Sequence, residues 1–199
     1  MHRDEFTSNL NRRKKDILEL VHTNIYGPMQ TRSLGGAYYF LLFIHDCTRY
    51  TWVYFLIRKS DAFEYFKYFR NMVEKQTGKV IKILPSNQWG EYRLGNFIKY
   101  CRDHGIIQQF TIPHTPQHNG VAKRKNKTLV ECACSMIKGN NFSNGFQAEA
   151  ISTAIYLKNK SPTRCFDLKT PFEPFYGFKL AVHHLRVFGC RDFSHIQEK

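Results

Sequence analysis

The residues best placed to do chemistry lie between Pro113 and Lys127, where a polar loop runs into a basic helix. Two prolines and an Asn-Gly pair keep the loop out of regular secondary structure. Apolar residues at helical spacing begin at Val121 and predict a long helix. Lys123 and Arg124 fall with Lys127 in its first turns, where positive charge opposes the helix dipole. A helix with a purely structural role would not favour cations at these positions.

Two explanations account for this basic helix start. An anion bound in front of the helix would be held by the cations and by the free backbone N–H groups of the first turn. Alternatively, the cations form a solvated basic face beside a loop. Taken alone, these residues favour the solvated basic face. The composition of the whole chain is relevant to the other explanation, a bound anion.

The composition indicates a folded, strongly basic protein. The chain has 199 residues, of which 42% are hydrophobic and 15% aromatic, so it is long and apolar enough to bury a core. Its net charge of +14 points to nucleic acid as a partner, with an anionic membrane surface as second choice. Six cysteines without a Cys-x-x-Cys pair predict reduced thiols in an intracellular protein. No signal peptide and no membrane-spanning segment is predicted.

The order of the predicted elements is β-β-β-α-β-α-β-α-α. This order is typical of an α/β protein with the ribonuclease-H-like fold, a mixed five-stranded sheet flanked by helices. Ser60 is expected to cap the first helix and Gly78 to end it. The predicted strands are Ile17–Ile25, Ala37–Ile44, Tyr50–Ile57, Val80–Leu84 and Ile107–Ile112, and the predicted helices are Ser60–Gln76, Leu94–His104, the one from Val121, and about Gly145–Asn159.

Several blocks of sequence, in the same order along the chain, resemble those of a known family. The chain resembles the integrase core of copia-type retrotransposons, in the retroviral integrase superfamily, over nearly all of residues 18–195. The blocks that carry the resemblance are 18–24 (LELVHTN), 46–54 (DCTRYTWVY), 86–92 (SNQWGEY), 115–126 (TPQHNGVAKRKN), 170–173 (TPFE) and 184–190 (HLRVFGC). The resemblance implies a polynucleotidyl transferase that cuts and rejoins DNA with two Mg²⁺ ions.

The resemblance also assigns the catalytic positions, and this chain departs from the family at all of them. The family holds Mg²⁺ with two aspartates and a glutamate, which correspond here to Asn24, Asn87 and Lys123. The family spacing is kept, since 35 residues separate Asn87 from Lys123. Mg²⁺ prefers carboxylate ligands, whereas an amide oxygen is a weaker ligand and an ammonium repels the ion. We therefore expect no bound metal and no strand transfer.

Nucleic-acid binding is the activity expected to remain. The expected contacts are to the DNA backbone, without sequence preference, from residues of the loop and the helix start: Gln117, Asn119, Gly120, Lys123, Arg124 and Lys127. The alternative is a non-catalytic interaction subunit, a homodimer or a partner of active integrases. The resemblance implies a nuclear location. The expected domains are a basic arm or linker (1–16), the core (17–162) and a C-terminal extension of the core (163–199).

Overall fold

The computed structural model describes residues 16–86, 95–110, 120–163 and 168–190. Two short 3-10 turns, Lys59–Asp61 and Asn144–Phe146, precede α1 and α4. The strands within these residues are β1 (Val21–Tyr26), β2 (Tyr39–His45), β3 (Thr51–Leu56), β4 (Ile83–Ser86) and β5 (Ile107–Phe110). The helices are α1 (Ala62–Thr77), α2 (Gly95–Asp103), α3 (Gly120–Gly139), α4 (Gln147–Lys160) and α5 (Phe172–Tyr176).

The strands form a three-stranded sheet in the order β1-β2-β3 and a two-stranded sheet of β4 and β5. β1, β2 and β3 are antiparallel neighbours, whereas β4 and β5 pair in parallel. An isolated parallel bridge between Leu20 and Ile83 joins the two groups, with the Ile83 N–H donating to the Glu19 carbonyl at 3.0 Å. The predicted mixed five-stranded arrangement is confirmed, although β4 meets β1 through one bridge and not through a full ladder.

β2 is buried on both faces, as its unbroken apolar sequence predicts. Alternate side chains of a strand point to opposite faces, and the two faces of β2 belong to two separate clusters. Phe43 belongs to the cluster built with α1 and α2, where it stacks on Phe69 with ring centroids 4.0 Å apart. Leu42 belongs to the cluster built with α3 and α4. The sheet is therefore covered by helices on both sides.

Several predicted boundaries are wrong by a few residues. Ser60 does not cap α1, because residues 59–61 form a 3-10 turn in which the Asp61 carboxylate accepts the Arg58 N–H at 3.0 Å. Gly78 does end α1, with a φ of 64° that suits a residue without Cβ. β1 begins at Val21 and not at Ile17, because Leu18 takes a positive φ of 61° that breaks the extended chain.

The described part of the C-terminal extension packs on the same core as the sheet. Phe175 of α5 is buried and stacks on Tyr50 with ring centroids 5.3 Å apart. The boundary between core and extension stays a prediction. No helix among the described residues is long and apolar enough to cross a membrane. Five of the six cysteines lie among the described residues, and all five are free thiols; Cys165 lies outside these residues.

Candidate nucleic-acid interface

α3 packs against one face of the sheet and contacts β1, and these two elements form an open groove. The helix buries a stripe of small and apolar side chains against the sheet, because residues three and four apart share one helix face. The groove has a volume of about 410 Å³. It is lined by Asn24, Tyr26, Lys123, Asn126, Lys127, Val130 and Glu131.

Three residues predicted from sequence meet at this groove. Asn24 projects from β1 and is buried, with 8% of its surface exposed, whereas Lys123 and Lys127 are exposed on α3. The resemblance assigned Asn24 and Lys123 to two of the three family metal positions, so two positions that are 99 residues apart in sequence line one groove. The third, Asn87, lies outside the described residues, directly after the end of β4 at Ser86.

The remaining predicted binding residues are divided between the helix start and the loop. Gly120 is the first residue of α3, and its carbonyl accepts the Arg124 Nε–H at 3.1 Å. Arg124 is thereby held along the helix start and does not line the groove. Gln117 and Asn119 lie outside the described residues. The structure therefore brings together only part of the predicted set.

Lys125, a further lysine of α3, is more buried than Lys123 and Lys127 and does not line the groove. This side chain lies between α3, the end of α4 and the turn after β2, and it is half-buried. Burial, together with the nearby cations Lys158 and Arg49, lowers the pKa of Lys125 to about 8. Sequence reasoning did not single out this residue, because its neighbours are distant in sequence.

The carboxylates near the groove are engaged by cations. Glu131 lines the groove but is 63% exposed, and its Oε1 lies 3.9 Å from the Lys127 ammonium. Asp46 is buried, and its Oδ1 lies 2.8 Å from His22 Nε2 and 3.1 Å from an Arg49 guanidinium nitrogen. Within the described ranges, no three His, Cys, Asp or Glu side chains converge as a metal site.

The donor set of the groove does not fit the Mg²⁺ pair that the family uses. Mg²⁺ keeps a strict octahedral shell of oxygen ligands, usually carboxylates and waters. The two family positions seen in the groove offer one neutral amide and one ammonium. The ammonium of Lys123 has no lone pair for a metal and repels it.

Sequence reasoning missed Asn126 and Tyr26, both of which line the groove. Asn126 is buried, with 4% of its surface exposed, and its Oδ1 has no hydrogen-bond partner. A signal was present, since Asn126 falls on the apolar stripe between Ala122 and Leu129, where a polar side chain is unexpected. Tyr26 stacks on Phe40 with ring centroids 4.9 Å apart, and nothing in its sequence context marked it.

Comparison with known proteins gives relatives among retrotransposon polyproteins. The chain is 41% identical over 198 residues to the retrovirus-related Pol polyprotein from transposon TNT 1-94 of Nicotiana tabacum. It is 34% identical over 173 residues to that from transposon RE1 of Arabidopsis thaliana. These matches cover 100% and 87% of this chain but only 15% and 12% of the relatives, so the chain spans a small part of their length. No protein-family model matches the chain.

Two solved structures with the same fold come from retroviral proteins. The catalytic core domain of BIV integrase aligns with a TM-score of 0.57 at 16% identity, over 80% of this chain and 95% of that domain. A chain of the simian T-cell lymphotropic virus intasome, in complex with PP2A regulatory subunit B56 gamma, aligns with a TM-score of 0.67 at 14% identity. That match covers 94% of this chain and 63% of the intasome chain. The chain therefore belongs to the copia-type retrotransposon Pol polyproteins, as a segment with the ribonuclease-H-like fold of integrase catalytic cores.

Proposed function

We propose that this integrase core binds nucleic-acid backbones without sequence preference and performs no metal-dependent strand transfer. One observation carries the proposal: of the two family metal positions in the groove, one holds the neutral amide of Asn24 and the other the ammonium of Lys123, and the lining adds Lys127 and a single carboxylate, that of Glu131. A site of this composition attracts phosphate and repels divalent cations. The proposal concerns this segment, which spans only a small part of its relatives.

The loss of metal binding follows from the change in charge. Relative to the family pattern, the chain gains one unit of positive charge at Asn24, one at Asn87 and two at Lys123, four in total. Two unit charges 4 Å apart interact by about 4 kcal/mol at an effective dielectric constant near 20. Replacing a glutamate by a lysine turns that attraction for a metal ion into a repulsion of similar size. Asp46 and Glu131 do not compensate, because neither stands at a family ligand position: Asp46 is buried against His22 and Arg49, and Glu131 lies two helical turns along α3 from Lys123.

Binding of a nucleic-acid backbone is supported by the exposed cations on α3. Lys123 and Lys127 are one helical turn apart on the groove side, and both side chains are exposed, with the Lys127 ammonium 3.9 Å from Glu131 Oε1. Lysines at such spacing neutralise successive phosphates and carry no information about base sequence. By analogy with the integrases that share this fold, we take DNA as the reference partner.

A strand-transfer assay tests the proposed loss of catalysis. The purified chain is incubated with labelled donor and target DNA in Mg²⁺ and, separately, in Mn²⁺, beside an active integrase as positive control. We expect no joined product from the chain with either metal. Product above the protein-free blank, dependent on metal and removed by chelator, would show that the groove is catalytic.

A second candidate is association with active integrases, and an aromatic surface favours it. Tyr54 of β3 and Glu64, Tyr65 and Tyr68 of α1 surround a shallow hollow of about 300 Å³, and Tyr68 is 62% exposed. Exposed aromatic side chains are typical of protein interfaces. Co-purification of the chain with an intact copia-type integrase, abolished by Tyr68→Ser, would support this candidate, and its absence would count against it.

A further inference from the structure

A second concave site lies where the end of α4 meets the segments on either side of α5, and we call it the C-terminal pocket. It shares no lining residue with the groove, and its volume of about 380 Å³ falls among pockets that hold small ligands. Three lysines line it, Lys160, Lys169 and Lys179, together with one carboxylate, that of Glu173. The charged side chains that line the pocket therefore sum to +2, which favours an anionic ligand.

The lysines of the C-terminal pocket are not neutralised by the acidic residues that the structure describes. None of their ammonium groups forms an ion pair with a described carboxylate. The Glu173 carboxylate instead accepts the Thr170 hydroxyl at 3.1 Å, and Thr170 Oγ1 accepts the Glu173 N–H at 3.3 Å. This reciprocal pair holds the carboxylate at the start of α5. An anion that enters the pocket would therefore meet positive charge that the described acidic residues do not balance.

One of the three ammonium groups is held in place by the protein itself. Lys160 is half-buried, and its Nζ lies 3.5 Å from the centre of the Tyr156 ring, whose hydroxyl is hydrogen-bonded to His184 Nε2 at 2.6 Å. A lysine at the last residue of α4 also suits the helix dipole. That explanation does not extend to Lys169 and Lys179, which lie outside this helix. A cation that is already positioned loses less freedom when it binds a ligand.

The charge and the apolar part of the lining together indicate the chemical class of the ligand. A phosphomonoester carries nearly two negative charges at neutral pH, whereas a phosphate inside a nucleic-acid strand carries one. Aliphatic side chains line the same pocket, and two of them, Leu168 and Val182, are 73% and 48% exposed. Covering them would remove apolar surface from water. A nucleotide with a terminal phosphate supplies both the doubly charged group and a flat ring for this surface.

We propose that the C-terminal pocket binds a nucleotide through its terminal phosphate. Lys160, Lys169 and Lys179 contact the phosphate, and the base packs against the aliphatic side chains. Two sources carry this group, a free mononucleotide and the 5′-phosphorylated end of a nucleic-acid strand. The proposal goes beyond nucleic-acid binding at the groove and does not depend on it, because the two sites have separate linings.

Isothermal titration calorimetry at low salt tests the proposal with adenosine 5′-monophosphate as the probe. Adenosine and inorganic phosphate each lack one half of this ligand, and we expect both to bind more weakly than the nucleotide. The double variant Lys169→Gln and Lys179→Gln should weaken nucleotide binding by about 3- to 30-fold, the usual effect of two lost surface ion pairs. Both lysines are exposed, so the variant should fold.

The matched control is the double variant Lys75→Gln and Lys79→Gln, which removes the same charge from two exposed positions at and just after the end of α1. It should leave nucleotide binding unchanged, as should Lys127→Gln at the groove. An equal loss in the two double variants would indicate attraction by the overall charge and would overturn the proposal. A comparable loss in Lys127→Gln would place the nucleotide in the groove and would also overturn it.

Two oligonucleotides of one sequence, one with a 5′-phosphate and one with a 5′-hydroxyl, distinguish the two sources. Tighter binding of the phosphorylated strand, lost in the Lys169 and Lys179 double variant, would support the proposal with strand ends as the source. Equal binding of the strands, together with binding of the mononucleotide, would support it with free nucleotides as the source. No binding of the mononucleotide or of the strand end, or binding of adenosine or inorganic phosphate as tight as that of the nucleotide, would overturn it.

Discussion

At the scale of single residues, Lys125 shows how neighbours that are distant in sequence change the burial and the pKa of a side chain. The sequence places it among exposed basic residues at the start of α3, and nothing local distinguishes it from Lys123 or Lys127. The structure half-buries it near Lys158 and Arg49, and its pKa falls to about 8. This could not be predicted, because α4 and the turn after β2 approach only in the folded chain.

The lowered pKa makes Lys125 a source of instability at neutral pH. The unfolded lysine binds its proton below about pH 10.5, whereas the folded one binds it only below about pH 8. Between these values the unfolded state holds more protons, so stability falls as the pH falls from 10.5 to 8 and the loss is complete below 8. The shift corresponds to an upper limit of about 3 kcal/mol, at 1.36 kcal/mol for each pKa unit.

We therefore predict that Lys125→Met stabilises the protein at pH 7, by about 1–3 kcal/mol. The gain in the free energy of unfolding should shrink as the pH rises from 8 toward 10.5, because the wild-type amine then becomes neutral in both states. Urea unfolding at a series of pH values measures the difference between variant and wild type.

The matched control for this prediction is Lys127→Met, two residues further along α3. Its side chain is 79% exposed, so the change should stay within about 0.5 kcal/mol. A Lys125→Met variant no more stable than wild type at pH 7 would mean that the ammonium is well solvated in the folded state.

At the scale of elements, local signals in the sequence predicted which helices and strands form but not every residue at which they begin. Gly78 ends α1 as predicted, because a glycine cap acts within one turn. Ser60 does not cap α1 as predicted, because the Asp61 carboxylate accepts the N–H of Arg58, three residues before it. The meeting of Asn24 and Lys123 at one site was implied only by the family resemblance, since no local pattern links these two residues.

One buried side chain fastens α4 to the edge of the sheet. Asn159 Oδ1 accepts the Thr51 N–H at 3.0 Å, and Asn159 Nδ2 donates to the Thr51 carbonyl at 2.8 Å. Both residues are buried. The Asn159 amide thus makes the two backbone hydrogen bonds to Thr51, the first residue of β3, that a neighbouring strand would otherwise make.

We predict that Asn159→Ala lowers the free energy of unfolding by about 2–4 kcal/mol, because both backbone groups of Thr51 lose their partner in a buried place. Chemical denaturation monitored by circular dichroism measures the loss. Asn140→Ala, at an exposed amide, should cost less than about 0.5 kcal/mol. Equal effects of the two variants would refute the anchoring role.

At the scale of the whole molecule, the net charge of +14 favours anionic partners in general, and the proposed interface assigns part of this attraction to the lysines of α3. α1 packs on the opposite face of the sheet from α3. This arrangement offers a comparison between two lysines that contribute equally to net charge. Lys127 lies at the groove, whereas Lys75 lies near the end of α1 and is exposed there.

We predict that DNA affinity falls steeply with salt and that Lys127→Gln reduces the slope of log K against log [salt] by about 1, the effect of one lost phosphate contact. Lys75→Gln should leave the slope unchanged. Anisotropy titrations over a range of salt concentrations give both slopes. The same reduction in the two variants would indicate attraction by the overall charge, without a defined interface.

We propose that the integrase fold persists in this chain without its metal site, and the dependence of thermal stability on metal concentration tests this proposal. The melting temperature is measured in increasing Mg²⁺ and Mn²⁺ for the chain and for the triple variant Asn24→Asp, Asn87→Asp and Lys123→Glu, which restores the family carboxylates. A ligand that binds only the folded state raises the melting temperature. We expect cooperative melting without a metal-dependent shift for the chain, and a clear rise for the triple variant. A rise for the unaltered chain at millimolar metal would contradict the account, because the substituted groove would then still bind the ions of an active integrase.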